Sequence, residues 1–378
     1  MAGKRKKTHW AVRRKNKQAR REGSDEQQQD KDSQSDRRAD RSDAVHPGSY
    51  AAQRQPKCTI NADQTPLRPM VAFCGKNYCG MQMNEGVKTI EAELERALFE
   101  AGGIAESNYG YLQKIGWSRA ARTDKGVHAA GQLLTAKLHV GDDIAGFMAK
   151  VDAALPEDIR VMHMVTVTKN FNAKMTCDQR TYEYLAPTFI FGKRMRSSAS
   201  KNEEKQAEGT NQWPSNLRDS EEGFDSNVVI DNTTLEAHKA FRLSDEILEQ
   251  LNATLKQYVG THNFHNFTSK MEPTNPQANR FIISFEAERP FVQNDMEWVR
   301  LRVVGQSFLL HHIRKMIGTA VEVVSGVSDP STIERAMELT KMDLPKAPSV
   351  GLYLAQAHFE VYNMKMEDRS RHRTHLLT

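Results

Sequence analysis

The sequence predicts an α+β fold, a largely antiparallel sheet flanked by helices, and three observations carry that prediction. Short apolar runs arrive in neighbouring groups, helical periods fall between the groups without alternating strictly with every strand, and each half of the chain offers both kinds of element. The recurrence of strands plus helices in each half predicts two pseudo-duplicated halves.

The first strand is predicted at Met70 to Cys74. Val87, Ile90, Leu94, Leu98 and Ala101 then recur at helical spacings, and Gly102-Gly103 stops the helix they define. Strands follow at Gln132 to Leu138, Ile159 to Thr168 and Arg180 to Ala186. In the second half Ser244 is the expected N-cap, Asp245 and Glu246 suit the positive end of the helix dipole, and Ile247, Leu251, Leu255 and Tyr258 form the buried stripe. Gly260 is expected to end that helix. Further strands are predicted at Phe281 to Glu288, Trp298 to Val304 and Tyr353 to Phe359, with a long helix over Phe308 to Val324 and a shorter one near Ser331 to Leu339.

Composition divides the 378 residues. Residues 1–66 have hardly an aliphatic side chain and cannot bury enough apolar surface to offset chain entropy, so they are expected to be disordered. The polar stretch 192–227 reads as a second such segment, inserted within a carboxyl-terminal half (171–362) that follows an amino-terminal half (67–170), with a polar tail at 363–378. The net charge is +5, and residues 1–21 hold ten Lys or Arg and no acid. That run points to a polyanionic partner and a nuclear address. A mitochondrial leader is the alternative, weakened by the lack of an amphipathic stripe. Cys58, Cys74, Cys79 and Cys177 form no Cys-x-x-Cys pair, and no apolar run is long enough to span a membrane. The expected compartment is therefore reducing, with no membrane partner and no obligate protein partner.

The chemistry-bearing string is Arg119-Ala-Ala-Arg-Thr-Asp-Lys-Gly-Val-His-Ala-Ala-Gly131, a basic loop with one acid, Asp124, just before a strand. A carboxylate among cations suits an anionic substrate with one reactive centre, although Asp-x-Gly is also ordinary turn chemistry. Period-two alternation in Arg180-Thr-Tyr-Glu-Tyr184 puts Arg180, Tyr182 and Tyr184 on one face, a stacking platform with a phosphate contact beside it or the filling of a half-buried sheet face. In the helix after Phe308, Leu310, Ile313, Ile317, Val321 and Val324 are expected on the core side, and Gly318 permits close approach of another backbone. Arg314, at the edge of that face, is expected to be partly buried and to seek a carboxylate, with Asp124 the candidate. Such a pair would keep Asp124 ionised, as a nucleophile or base needs. His262, His265, His311 and His312 lack the ligand spacing and thiolates of a zinc site, so no metal is expected, and Phe264 and Phe267 are assigned to the core with their polar neighbours facing substrate. No phosphate loop or Gly-x-Gly-x-x-Gly turn occurs, so no nucleotide cofactor is expected.

Together these strings resemble the TruA family of tRNA pseudouridine synthases, in its eukaryotic nuclear branch. Arg119 to Gly131 is similar to the family's catalytic loop, which makes Asp124 the family's aspartate. Arg180-Thr-Tyr-Glu-Tyr184 resembles the motif whose first tyrosine, here Tyr182, stacks on the target base. Gly305-Gln-Ser-Phe-Leu-Leu-His-His-Ile-Arg-Lys-Met-Ile-Gly318 resembles the motif whose arginine, here Arg314, pairs with the acid. Phe73 to Gln82 and Ala347 to Leu354 extend the resemblance over roughly residues 70–362.

The resemblance implies the pseudouridine synthase fold, with its halves around a central basic cleft. It implies cofactor-free isomerisation of uridine in tRNA, with mRNA or small nuclear RNA as further substrates, through proton abstraction from ribose or covalent attack by Asp124. Base flipping explains the need for an aromatic ring and a nearby cation such as Arg122. Lys125, His128, Arg180 and Tyr184 complete the expected substrate contacts. A non-catalytic RNA-binding module is the rival reading, and a nucleosidase is disfavoured because no second acid accompanies Asp124 in its loop.

Overall fold

Cross-strand pairing joins ten strands into one mixed sheet in the computed structural model, which describes residues 64–193 and 232–375. The segments expected to be disordered, 1–66 and 192–227, fall almost entirely outside those residues. The strands are β1 (Thr65–Phe73), β2 (Ser118–Arg119), β3 (His128–Leu138), β4 (Ile159–Thr166), β5 (Gln179–Pro187), β6 (Gly260–Asn263), β7 (Asn279–Ala287), β8 (Phe291–Gln293), β9 (Met296–Gly305) and β10 (Leu352–His358). They lie in the order β4-β1-β3-β10-β5-β9-β7-β6, with β2 paired to β3 and β8 to β9.

The sheet is antiparallel except where β10 runs parallel to β3, with Tyr353 opposite His128 and Leu354 opposite Ala129. On its other side β10 pairs antiparallel with β5, Leu354 opposite Tyr182. This seam brings the segment after Asp124 and the strand carrying Tyr182 to either side of one strand, although some 50 residues of chain separate them.

Seven helices are described: α1 (Ile90–Glu100), α2 (Ile144–Ala154), α3 (Asn232–Ala240), α4 (Asp245–Lys256), α5 (His312–Val324), α6 (Thr332–Met337) and α7 (Glu360–His375). Side-chain oxygens close the amino ends of three of them: Thr89 accepts from the Ala92 amide, Asp143 from Gly146 and Ser244 from Ile247. Leu94 of α1, Val151 of α2, Leu255 of α4 and Ile317 of α5 share one core with Leu67, Leu134, Tyr182 and Leu301 of the strands. Each fully buried side chain of this size contributes roughly 1.5–3 kcal/mol. A smaller cluster, including Leu133, Phe171, Ala357 and Phe359, covers part of the opposite face.

Several expectations shift. α5 begins at His312, not Phe308, because His311 takes a left-handed backbone (φ 60°) that no continuing helix allows. Leu310, assigned to the core, therefore lies before the helix and is exposed. Val87 is likewise exposed, outside a helix that Thr89 caps. α4 ends at Lys256, and Gly260 instead opens β6 at φ 111°. The polar tail from residue 363 is helical within α7, whose sequence has no apolar stripe to announce it. The hairpin β8–β9 escaped notice because its two-residue loop, Asn294-Asp295, takes positive φ at both positions without the usual glycine.

Candidate active site

Asp124 sits in a turn closed by the Val127 amide donating to the Asp124 carbonyl, with Gly126 at φ 76°. The turn after β1 clamps this loop: the Met81 amide donates to the Thr123 carbonyl at 3.1 Å, and the Gly126 amide to the Tyr78 carbonyl at 3.3 Å. Gly80 is required there, since a Cβ would come within 2.8 Å of the Thr123 carbonyl oxygen. The residues leading into the loop are gripped by three buried or half-buried polar side chains. Gln132 brackets Ala121, accepting from its amide and donating to its carbonyl at 2.7 Å. Arg180 donates twice to the Ala120 carbonyl, at 3.1 and 2.8 Å.

The third grip is Glu91, a fully buried carboxylate on α1. It accepts from Trp117 Nε1 at 2.6 Å, from Arg119 Nε at 2.5 Å and from the Met83 amide at 2.9 Å. Glu91 thus ties the strand that leads to Asp124 to the turn that clamps it. A carboxylate can be buried only with its charge and lone pairs answered in this way.

The Asp124 carboxylate is half-buried, with His311 and Tyr182 within electrostatic reach of it. His311 Nε2 lies 4.0 Å from Asp124 Oδ2. Burial pushes the His311 imidazole below its ordinary value; Asp124 opposes this, and Lys346, Arg314 and Lys315 add to it. Arg314 is buried on α5, its Nε donating to the Ala347 carbonyl at 2.7 Å while the Ala347 amide donates back to the Arg314 carbonyl. Tyr182 is within electrostatic reach: burial raises its hydroxyl, Arg180 opposes, and the Asp124 charge raises it further.

The remaining expected site residues distribute as follows. Arg122 and Lys125 are exposed beside Asp124. Tyr182 and Tyr184 are buried against the helix-covered core instead of forming an open platform, Tyr182 edge-on to Phe308 at 5.3 Å and Tyr184 beneath Gly351. Arg180 gives its donors to the carbonyls of Ala120, Gln306 and Cys177. His128 Nδ1 accepts the Gly75 amide at 3.2 Å, and burial lowers its basicity against a Val350 backbone contact that raises it.

Gly318 does let another backbone approach, since a Cβ there would come within 2.4 Å of the Pro345 carbonyl oxygen. Phe264 and Phe267 are in the core as expected, but His265 and Asn266 between them are buried too and do not face a substrate. Asn266 donates to the Ala336 and Thr340 carbonyls and accepts the Met342 amide, locking the loop after α6. His312 packs on Phe264 at 4.3 Å, and burial lowers its pKa to about 3.

Sequence reasoning missed Glu91 and Gln132, and weighed His311 only as a metal ligand. His311 carries one signal, its place three residues before Arg314. Glu91 resembles any acid in a first helical turn, and Gln132 any polar residue in a strand.

Comparison with known proteins returns one family. Residues 254–360 match the family model described as tRNA pseudouridine synthase. The chain is 40% identical over 306 residues to the Homo sapiens pseudouridylate synthase 1 homolog, covering 80% of this chain and 62% of that protein. The Mus musculus counterpart is also 40% identical, over 78% of this chain and 61% of that protein. The Saccharomyces cerevisiae tRNA pseudouridine synthase 1 is 34% identical over 82% of this chain and 66% of its own length. The chain thus spans somewhat under two thirds of the length of these curated relatives.

Proposed function

We propose that this chain, 34–40% identical to curated pseudouridine synthases over about four fifths of its length, isomerises uridine in tRNA to pseudouridine. The carrying observation is Asp124: one half-buried carboxylate, held by backbone and polar side chains, beside His311 and two exposed cations.

In the proposed reaction the C1′–N1 glycosidic bond breaks, the freed uracil turns in the pocket, and C1′ bonds to C5. The C5 proton leaves and N1 acquires one, so the product is an isomer and needs no oxidant or co-reactant. Asp124 acts on the sugar or the base, and both routes need it ionised. Arg314, buried at the start of α5, is the cation assigned to hold it so. Tyr182, on β5 across β10 from the strand that follows Asp124, is the ring assigned to stack on the target base. In this structure it packs on Phe308, so stacking requires the Phe308 loop to move aside. Arg122 and Lys125 meet the flanking phosphates.

The pseudo-duplicated halves and the central basic cleft belong to the same proposal, as do nuclear residence, with the mitochondrion as alternative, and mRNA or small nuclear RNA as further substrates. The test is tritium release from a tRNA transcript carrying 5-tritiated uridine, followed by mapping of the product. Release with pseudouridine formed is the expected result. RNA bound without release favours a non-catalytic module, and free uracil favours hydrolysis.

A further inference from the structure

On the face of the sheet away from α1, α4 and α5 lies a cavity of about 480 Å³, floored by β3 and β10 and walled by β1 and the start of α7. Arg68 of β1 lines it, half-buried, with its guanidinium 5.7 Å from the Phe171 ring centroid and 5.8 Å from that of Phe359. Its Nε is buried with no hydrogen-bond partner, and among the described residues no carboxylate pairs with it. Burial lowers its basicity, with Tyr362 opposing. A desolvated guanidinium with no counter-charge is costly unless an anion completes it.

The other polar groups agree. His163, opposite Met70 in the β1–β4 ladder, and Gln356 of β10 line the same cavity. The one lining acid, Glu360, is exposed, with its carboxylate 3.9 Å from His358 Nδ1. The volume is that of a small-molecule site, larger than a lone ion needs. Ala130 and Gly131, on the cavity floor, lie six and seven residues past Asp124. An extended chain of that length spans no more than about 25 Å, so a nucleotide close to the target uridine in the same RNA can reach both places.

We propose that this cavity binds a backbone phosphate of the RNA substrate, with the Arg68 guanidinium as its principal donor and the Phe171 and Phe359 rings as the platform that holds the guanidinium in place. This rests on the reading that RNA is the substrate, and it adds a contact on the helix-free face that Asp124, Tyr182 and Arg314 do not supply. An arginine braced on aromatic rings keeps its forked donors oriented, which suits phosphate oxygens better than a mobile lysine.

The test is equilibrium binding of a tRNA transcript by the full chain across a range of KCl concentrations, for wild type, Arg68→Gln, Arg68→Lys and Ala130→Glu. Arg68→Gln is expected to weaken binding several-fold and to reduce the slope of log affinity against log salt by about one. Arg68→Lys should keep most of the slope. Ala130→Glu, a change at an exposed position that places a carboxylate at the cavity floor, should weaken binding even where Arg68→Gln folds poorly. Wild-type affinity and slope in both Arg68→Gln and Ala130→Glu would overturn the site while leaving the proposed activity standing. Failure of the wild type to bind tRNA would instead remove the activity on which the site rests.

Discussion

On the amino-terminal side of the β3–β10 seam, the loop bearing Asp124 is held by polar side chains, the buried Glu91 and Gln132 and the half-buried Arg180, each answering backbone or guanidinium groups. On the carboxyl-terminal side, α5, which bears Arg314, is set in an apolar mass in which Tyr258, Phe264 and Phe267 are all fully buried. The difference follows from what each side must position. An acid at the tip of a loop needs directional bonds to fix its backbone, whereas an arginine on a helix inherits its place from the packing of that helix. The first side should therefore respond to changes of charge and pH, and the second to changes of volume.

The largest effect is expected from Glu91→Ala. It leaves Arg119, Trp117 Nε1 and the Met83 amide without their acceptor, and loss of one partner of a buried pair costs about 3–5 kcal/mol. Urea unfolding should show that loss. Steady-state kinetics should show kcat falling far more than KM, because the loop is displaced while the cations proposed to meet RNA stay. An unchanged kcat would mean that Glu91 does not position the loop.

Phe264→Ala tests the other side. Removing this ring should cost about 3–5 kcal/mol through lost burial and a cavity beside Phe267 and His312. Activity per folded molecule at low temperature should stay close to wild type. A collapse of activity at full folding would show that the apolar side tunes chemistry directly.

A smaller, pH-dependent effect is expected at Glu95, also buried on α1, where burial raises the pKa from the ordinary carboxylate value to about 7, the Gly110 amide opposes, and Glu91 adds to the rise. The folded state holds this proton more tightly than the unfolded chain, so the site destabilises the fold progressively as pH rises from about 4.5 through 7. Above pH 7 the cost levels off at about 3 kcal/mol. Glu95→Gln should therefore be more stable than wild type at pH 8 and nearly equal to it at pH 4.5. Denaturant midpoints at the two pH values decide this, and a constant difference between them would contradict the raised pKa.

The apolar side was the more legible in sequence. The spacing of Leu251, Leu255 and Tyr258, the Ser244 cap and the Ile313–Val324 stripe declare α4 and α5, because burial writes itself as periodicity. Strands β1, β3, β4, β5, β7, β9 and β10 were visible for the same reason, with ends displaced by a few residues. The polar side was visible only at its tip. Asp124 stands out among cations, but the groups that hold it come from residues 30 or so before it, 8 after it and 56 after it. No local pattern links Glu91, Gln132 and Arg180 to one loop, and the parallel seam that assembles them is a long-range pairing. His311 was hidden because its value lies in a left-handed backbone that composition does not reveal. The expected face shared by Arg180, Tyr182 and Tyr184 was sound as alternation, but which side of the sheet the helices would cover was not readable from the strand itself.

The most direct test of the account is Asp124→Asn, which keeps the side chain's shape and removes its charge. Tritium release from 5-tritiated uridine tRNA should fall by about 10³-fold or more while affinity for the same RNA stays near wild type. Release at the wild-type rate from a correctly folded Asp124→Asn protein would contradict the assignment of Asp124 as the reacting acid.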